Sequence, residues 1–289
     1  MAPTRCPEES GPTRLAPAAM LVLAVLVVAG CGSTPPSPSR VERDAQAFSQ
    51  RGARAFEQGQ WEAARGFYSE ALRLDRSVEN RDGIATNLLN LARVAQASGK
   101  PVESHVQLDQ LLADAPLTLP HERQAEAAGR KAQLYLAESN LDLAAHWAAR
   151  GEALCGETCP TLAALMNLRA MAALRSGDQS GALTQAARAL AASDERSPER
   201  ANAHRLMGEA QLQGRNAANA LVALRNALAL DQALGLPTRI HRDLELLGQA
   251  SEALGQVEEA RAFRSRAQAV LSATTKPSTP TAAAEGRAP

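Results

Sequence analysis

Aromatic side chains are scarce in this chain: two Trp, two Tyr and four Phe, 3% of 289 residues. That is little to fill one compact core of this length, which has room for one or two globular domains. Lysine is nearly absent, with only Lys100, Lys131 and Lys276, and the 31 basic residues are matched by 31 acidic ones. A balanced, arginine-dominated chain carries no dedicated surface for nucleic acid or acidic lipid. No apolar run reaches the ~20 residues that span a bilayer; the longest is about Met20 to Ala29. Catalytic motifs are missing too: there is no H-E-x-x-H, no G-x-S-x-G and no P-loop. The five histidines, His105, His121, His146, His204 and His241, share no ligand spacing. His204 falls on an inward helical stripe, where core packing is its expected role, and His146 beside Trp147 reads as a surface pair. The expectation is a protein that is not an enzyme, with no cofactor, no metal and no catalytic residues.

Residues 1–30 have the pattern of an export signal, with Arg5 and Arg14 ahead of the apolar run. Glu8, Glu9 and Pro17 make its leader an impure one. The run ends in Val28-Ala29-Gly30-Cys31, which resembles the lipobox of bacterial lipoproteins. The resemblance implies cleavage before Cys31 and lipidation of its thiol and new amino group, palmitate included. Acyl chains contribute ~0.8 kcal/mol per buried methylene, so several anchor a protein firmly. Gly32 rather than Asp follows, which by resemblance to enterobacterial sorting implies the outer membrane, facing the periplasm. Residues 31–40, rich in Pro and Ser, read as a stiff polar spacer.

With Cys6 in the signal and Cys31 claimed by lipid, Cys155 and Cys159 remain, in C-G-E-T-C. In an oxidising compartment two near thiols pair, so a small loop disulfide is expected. Free thiols stay open as a reading, as do a redox pair, which normally uses C-x-x-C, and half a metal site, which lacks the other ligands.

From residue 41 to 272 a helical grammar repeats six times. Small residues at Ala64, Ser104, Ala144, Ala182, Ala220 and Ala260 serve as anchors, 38 to 40 residues apart. Twelve positions before them stand Gly52, Ala92, Ala132, Ala170, Gly208 and Gly248, every one small. Five before stand Gly59, Gly99, Ser139, Gly177, Arg215 and Gly255; Arg215 breaks that column, and Gly214 is expected to take its role. Apolar residues between these marks recur at helical spacing. Each unit therefore reads as two antiparallel helices crossing where small side chains let the backbones close, as Gly208 and Ala220 would. Helix pairs are expected near 41–57 and 61–75, 81–98 and 101–114, 121–138 and 141–154, 161–176 and 179–193, 199–213 and 217–231, and 238–254 and 257–272. Pro116, Pro120, Pro160, Pro198 and Pro237 fall between pairs, where helices stop or start. The tail 273–289 lacks periodicity and reads as disordered.

This grammar resembles the tetratricopeptide repeat, most closely at Gly52, Trp61, Ala64, Tyr68 and Ala71. The period is longer than that family's 34 residues, and the aromatic four after the anchor survives only as Tyr68. An alanine-rich helical bundle is the other reading of the same residues. The resemblance implies an all-α solenoid of about six helical hairpins forming a superhelix. It also implies a concave face, lined by the first helix of each pair, that takes peptides or partner helices. By phase that lining includes Arg93, Gln96, Gln133, Asn167, Met171, Asn202, Arg205, Glu209, Arg242 and Gln249. The expected function is a non-catalytic outer-membrane lipoprotein that scaffolds envelope assembly through a peptide or protein partner, among peptidoglycan, outer-membrane, secretion or pilus machinery. It touches the membrane through its lipid anchor only and binds no nucleic acid. The alternatives are pilotin-like escort of a secretin subunit, or a cell-wall hydrolase with an unrecognised site.

Overall fold

A computed structural model describes residues 37–113, 117–156 and 159–275. The export signal, Cys31 and most of the spacer lie outside the described residues, as does the tail from Lys276. Among the described residues there are twelve helices and no strand. They are α1 Arg40–Glu57, α2 Trp61–Ser77, α3 Arg81–Ala97, α4 Pro101–Leu112, α5 His121–Ala137, α6 Leu141–Cys155, α7 Leu162–Ser176, α8 Gln179–Ala192, α9 Pro198–Gln213, α10 Ala217–Ala233, α11 Pro237–Ala253 and α12 Val257–Thr275. Each odd helix pairs with the even helix after it, giving six hairpins.

Both outer ends of the repeat region differ from the sequence reading, and every internal helix end lies within two residues of it. Helix α1 begins at Arg40, because Ser39 caps it and exchanges hydrogen bonds with Glu42 in a capping box. Helix α12 runs on to Thr275, so residues 273–275 are helical rather than tail; the Thr274 hydroxyl donates back to the Val270 and Leu271 carbonyls.

Local chemistry explains where the helices start. Asn80, Asn140, Asp178, Ser197 and Asn216 each accept a backbone N–H of the first turn. Pro101, Pro198 and Pro237 sit in a first turn, where a missing N–H costs nothing.

The turn inside each hairpin needs one residue in the left-handed region, five before the anchor. Gly59, Gly99, Ser139, Gly177, Arg215 and Gly255 all have φ between 56° and 84°. The expectation that Gly214 substitutes for Arg215 is thus corrected: Gly214 has φ −78° as the cap of α9, and Arg215 itself takes φ 56°. Register, not residue type, decides which position turns.

All six anchors and the six small residues twelve before them are buried. The residues seven after the anchors, Ala71, Leu111, Gly151, Ala189, Ala227 and Ala267, are buried as well. Alanine and leucine fill most of this interior. Aromatics are needed at few places: Tyr68 lies buried over Gly52, and Trp147, half-buried against the first core cluster, keeps an edge contact with exposed His146, ring centres 5.7 Å apart. The Lys131 ammonium sits 4.3 Å from the Trp147 ring centre and the Arg150 guanidinium 5.0 Å from it.

Candidate functional site

The odd helices pack on one another in series: α1 on α3, α3 on α5, α5 on α7, α7 on α9 and α9 on α11. Even helices come close in backbone only to their sequence neighbours and reach one another through long side chains alone, as Arg188 reaches Glu152 and Arg225 reaches Glu259. A stack whose first helices meet and whose second helices splay apart curves toward the first helices. The inner face therefore belongs to α3, α5, α7, α9 and α11.

Two cavities join along that face. One, of about 230 Å³, lies between α5 and α7, walled by Glu126, Gly129, Arg130, Gln133, Thr161 and Leu168 among others. The next, of about 150 Å³, continues to α9 and α11, walled by Asn167, Met171, Glu199, Asn202 and Arg239. Gln133, Ala164 and Leu168 line both, so the two form one groove.

Its polar groups have defined roles. Glu126 accepts from Arg130 at 2.8 Å and from Arg123 at 3.4 Å, which occupies the charge at that end. Asn167 is 3% exposed, and its Nδ2 donates to the Glu199 carbonyl at 2.9 Å. That fixes its amide orientation and leaves Oδ1 as a buried acceptor without a protein donor. Asn202 is oriented the other way: its Oδ1 accepts from Arg205 Nη1 at 3.1 Å, so its amide nitrogen remains as a donor. Arg239 donates one bond to the Pro198 carbonyl at 3.0 Å and pairs with no carboxylate among the described residues. Leu168, Met171 and Ala164 supply apolar surface between these groups. The Gln133 and Asn202 amides at the edge of an apolar floor suit an extended chain, whose N–H and C=O groups alternate.

Of the ten residues chosen by phase, the structure brings Gln133, Asn167, Met171 and Asn202 to this groove. Arg93 and Gln96 are exposed on α3, with the Arg93 guanidinium stacked 4.0 Å from the Phe56 ring centre. Glu209 and Arg242 pair with each other at 2.7 Å, and Gln249 is exposed on α11.

Two placements are corrected. Arg205, 3% exposed, is turned into the protein by Asp231 and Asp243 and offers nothing to a partner. Asn167 is a buried wall residue whose amide nitrogen is spent on the backbone of α9. Both lie fifteen positions before their anchors, where the side chain faces the next repeat. The column eleven before the anchor, Arg93, Gln133, Met171, Glu209 and Gln249, stays open or half-open. The phase reading omitted Glu126, Arg130 and Arg239. Glu126 was within reach, since it occupies the same register as Asn202 and Arg242, eighteen before the anchor.

Among the described residues no group of three or more His, Cys, Asp or Glu is placed to hold a metal. The His204 pKa is lowered by burial, and then by the Arg200 charge. Cys155 and Cys159 are joined as a disulfide with Cα atoms 5.3 Å apart, tying the end of α6 to the start of α7. The Thr161 hydroxyl lies 3.5 Å and 3.2 Å from the two sulfurs, at the edge of the groove.

Comparison with known proteins agrees with this architecture. A tetratricopeptide-repeat family profile matches residues 43–116, the first two hairpins. No curated protein matches the chain by sequence. Solved structures align over most of it. BtubC from P. vanneervenii is 19% identical, with 87% of this chain and 99% of that one aligned at a TM-score of 0.59. PilW, a type IV pilus biogenesis factor, is 16% identical over 83% of this chain and 100% of its own, with a TM-score of 0.62. The quorum sensor NprR from B. thuringiensis is 14% identical over 78% of this chain and 65% of its own, with a TM-score of 0.65. At these identities the likeness is one of fold: the chain is an all-α, tetratricopeptide-like solenoid.

Proposed function

We propose that this protein is a non-catalytic scaffold that holds an extended segment of a protein partner in the groove across α5, α7 and α9. The observation that carries the reading is the joined groove, whose apolar floor of Ala164, Leu168 and Met171 is bordered by the exposed Gln133 amide and by Asn202, whose amide nitrogen is left to donate. The apolar floor excludes water, while the two amides fix the register of the bound chain. The pattern at Val28-Ala29-Gly30-Cys31 supports an outer-membrane lipoprotein facing the periplasm, so the partner belongs to the bacterial envelope. Escort of a secretin subunit is the narrower alternative. The fold likeness to PilW, a type IV pilus biogenesis factor, is in keeping with a partner from pilus machinery.

Site-specific photo-crosslinking in intact cells tests the groove. Probes at Gln133 and Met171 are expected to trap one partner that a probe at exposed Val222 does not, and Asn202→Leu should abolish the adduct. Equal trapping on both faces would sink the assignment. Palmitate labelling that survives Cys31→Ser would remove the anchor from it. For the narrower alternative, deletion of the gene should strand secretin monomers in the inner membrane.

A further inference from the structure

Three register positions carry buried or half-buried polar groups at the first and last junctions between repeats. They are fifteen before an anchor, eleven after it, and seventeen before the next. Between repeats one and two they hold Ser49, Asp75 and Asn87; between repeats five and six they hold Arg205, Asp231 and Asp243. The first set is one carboxylate served by neutral donors. Ser49 Oγ donates to Asn87 Oδ1 at 2.5 Å, Asn87 Nδ2 donates to Asp75 Oδ2 at 2.8 Å, and Asn80 Nδ2 donates to Asp75 Oδ1 at 2.7 Å.

The last set has a second carboxyl where the first has an amide. Arg205 Nε donates to Asp243 Oδ1 at 2.6 Å, and its Nη2 reaches Asp231 Oδ2 as well as Asp243 Oδ2 at 3.4 Å. Both aspartates are 0% exposed, so one guanidinium faces two carboxyls out of water. Asp231 Oδ1 has no partner among protein atoms as they stand. The Asp231 and Asp243 side chains lie within hydrogen-bonding reach of each other, so a proton between them supplies a donor and leaves one cation against one anion.

We propose that Asp231 and Asp243 share one proton, and that this proton latches repeat six onto repeat five. The latch spans three helices: Arg205 on α9, Asp231 at the end of α10 and Asp243 on α11. Arg205 and Asp231 are the charged groups that act on Asp243; α12, which also packs on α11, contributes none. Burial pushes the Asp243 pKa up to about 6 against the pull of Arg205, and the Asp231 charge adds to the rise. The folded value exceeds the ordinary 3.8. The closed junction therefore keeps its proton over that window and loses it on opening, so closure is favoured at acid pH and weakens as pH rises toward 6. Above that the dependence levels off. Because Arg205 also holds Asn202, the latch bears on the groove wall. The inference does not depend on which partner the groove takes.

Native-state hydrogen exchange of α11 and α12 amides, in the full chain from about pH 4.5 to about pH 7.5, reads the latch directly. The wild-type opening constant, corrected for intrinsic exchange, should rise by up to about tenfold per pH unit to about pH 6 and then plateau. Asp243→Asn, whose amide copies Asn87, should lack this rise and open less than wild type at pH 7. Parallel curves for the two proteins, or greater opening of the variant at pH 7, would overturn the proposal. The wild-type chain gives a second readout by carboxyl-carbon NMR. One aspartate titrating near pH 6 is the expected result; Asp231 and Asp243 both titrating in the ordinary carboxylate range would refute it.

Discussion

Leu224 lies over Gly208 so closely that a Cβ on the glycine would stand 2.5 Å from the leucine Cγ and 3.4 Å from the Ala220 carbonyl oxygen. The same offset recurs, with Gly52 under the Tyr68 ring and Gly248 under the Arg264 side chain. These three hairpins thus close where the small residue twelve before the anchor meets the residue four after it.

That geometry separates two glycine substitutions. Gly208→Ala should lower stability by about 1–3 kcal/mol, because Leu224 is fully buried and has nowhere to go. At Gly248 the nearest obstacle is the flexible Arg264 side chain, 3.2 Å from an added Cβ. There Gly248→Ala should be neutral or stabilising by up to about 1 kcal/mol, through helix propensity. Urea unfolding of both variants checks this; equal losses would show that the crossing is not what needs the glycine.

The register equivalence of the two polar sets can be tested at the first junction. Asn87→Asp places a second carboxyl beside Asp75, with Ser49 where the last junction has Arg205. A buried, unpaired charge costs about 3–5 kcal/mol, so the variant should be strongly destabilised at pH 7 and recover on acidification. Burial already raises the Asp75 pKa, against the pull of its Asn80 and Asn87 hydrogen bonds. The folded group thus binds its proton more tightly than the unfolded one, and Asp75 contributes less stability as pH rises above 3.8. Chemical denaturation at pH 5 and pH 7 measures the difference. A variant with wild-type pH dependence would break the equivalence.

The disulfide makes a third case. Cys155→Ala with Cys159→Ala opens a loop of only a few residues, so the loss should be about 2 kcal/mol by chain entropy. The hairpins on either side are packed by Ala125, Leu165 and Gly151 in their own right, and the variant should fold. Increased proteolysis confined to the α6–α7 connection, with helix content unchanged by circular dichroism, is the expected pattern. Global unfolding would show that the bridge holds the stack together.

The repeat frame was legible because its determinants are local. Pro237 starts a helix wherever it stands, Asn216 caps the turn three residues on, and alanine columns mark faces whatever they pack against. Arg215 marks the limit of that logic. Residue preference pointed to Gly214 for the turn, but the hairpin closes at a fixed distance from the anchor, so the arginine takes the left-handed position.

Sequence alone therefore determined the number of hairpins and, to within about three residues, where each helix ends, since both follow from spacing along one chain; that the first helix of each pair faces inward came with the resemblance. Tertiary structure decided the fate of individual side chains on that inner face. Arg205 and Asn202 sit three residues apart on one helix, and periodicity treats them alike. Only the arrival of Asp243, 38 residues later, draws the arginine into the interior and leaves the asparagine at the groove. A charge is buried or exposed according to what stands opposite it, and what stands opposite comes from another repeat.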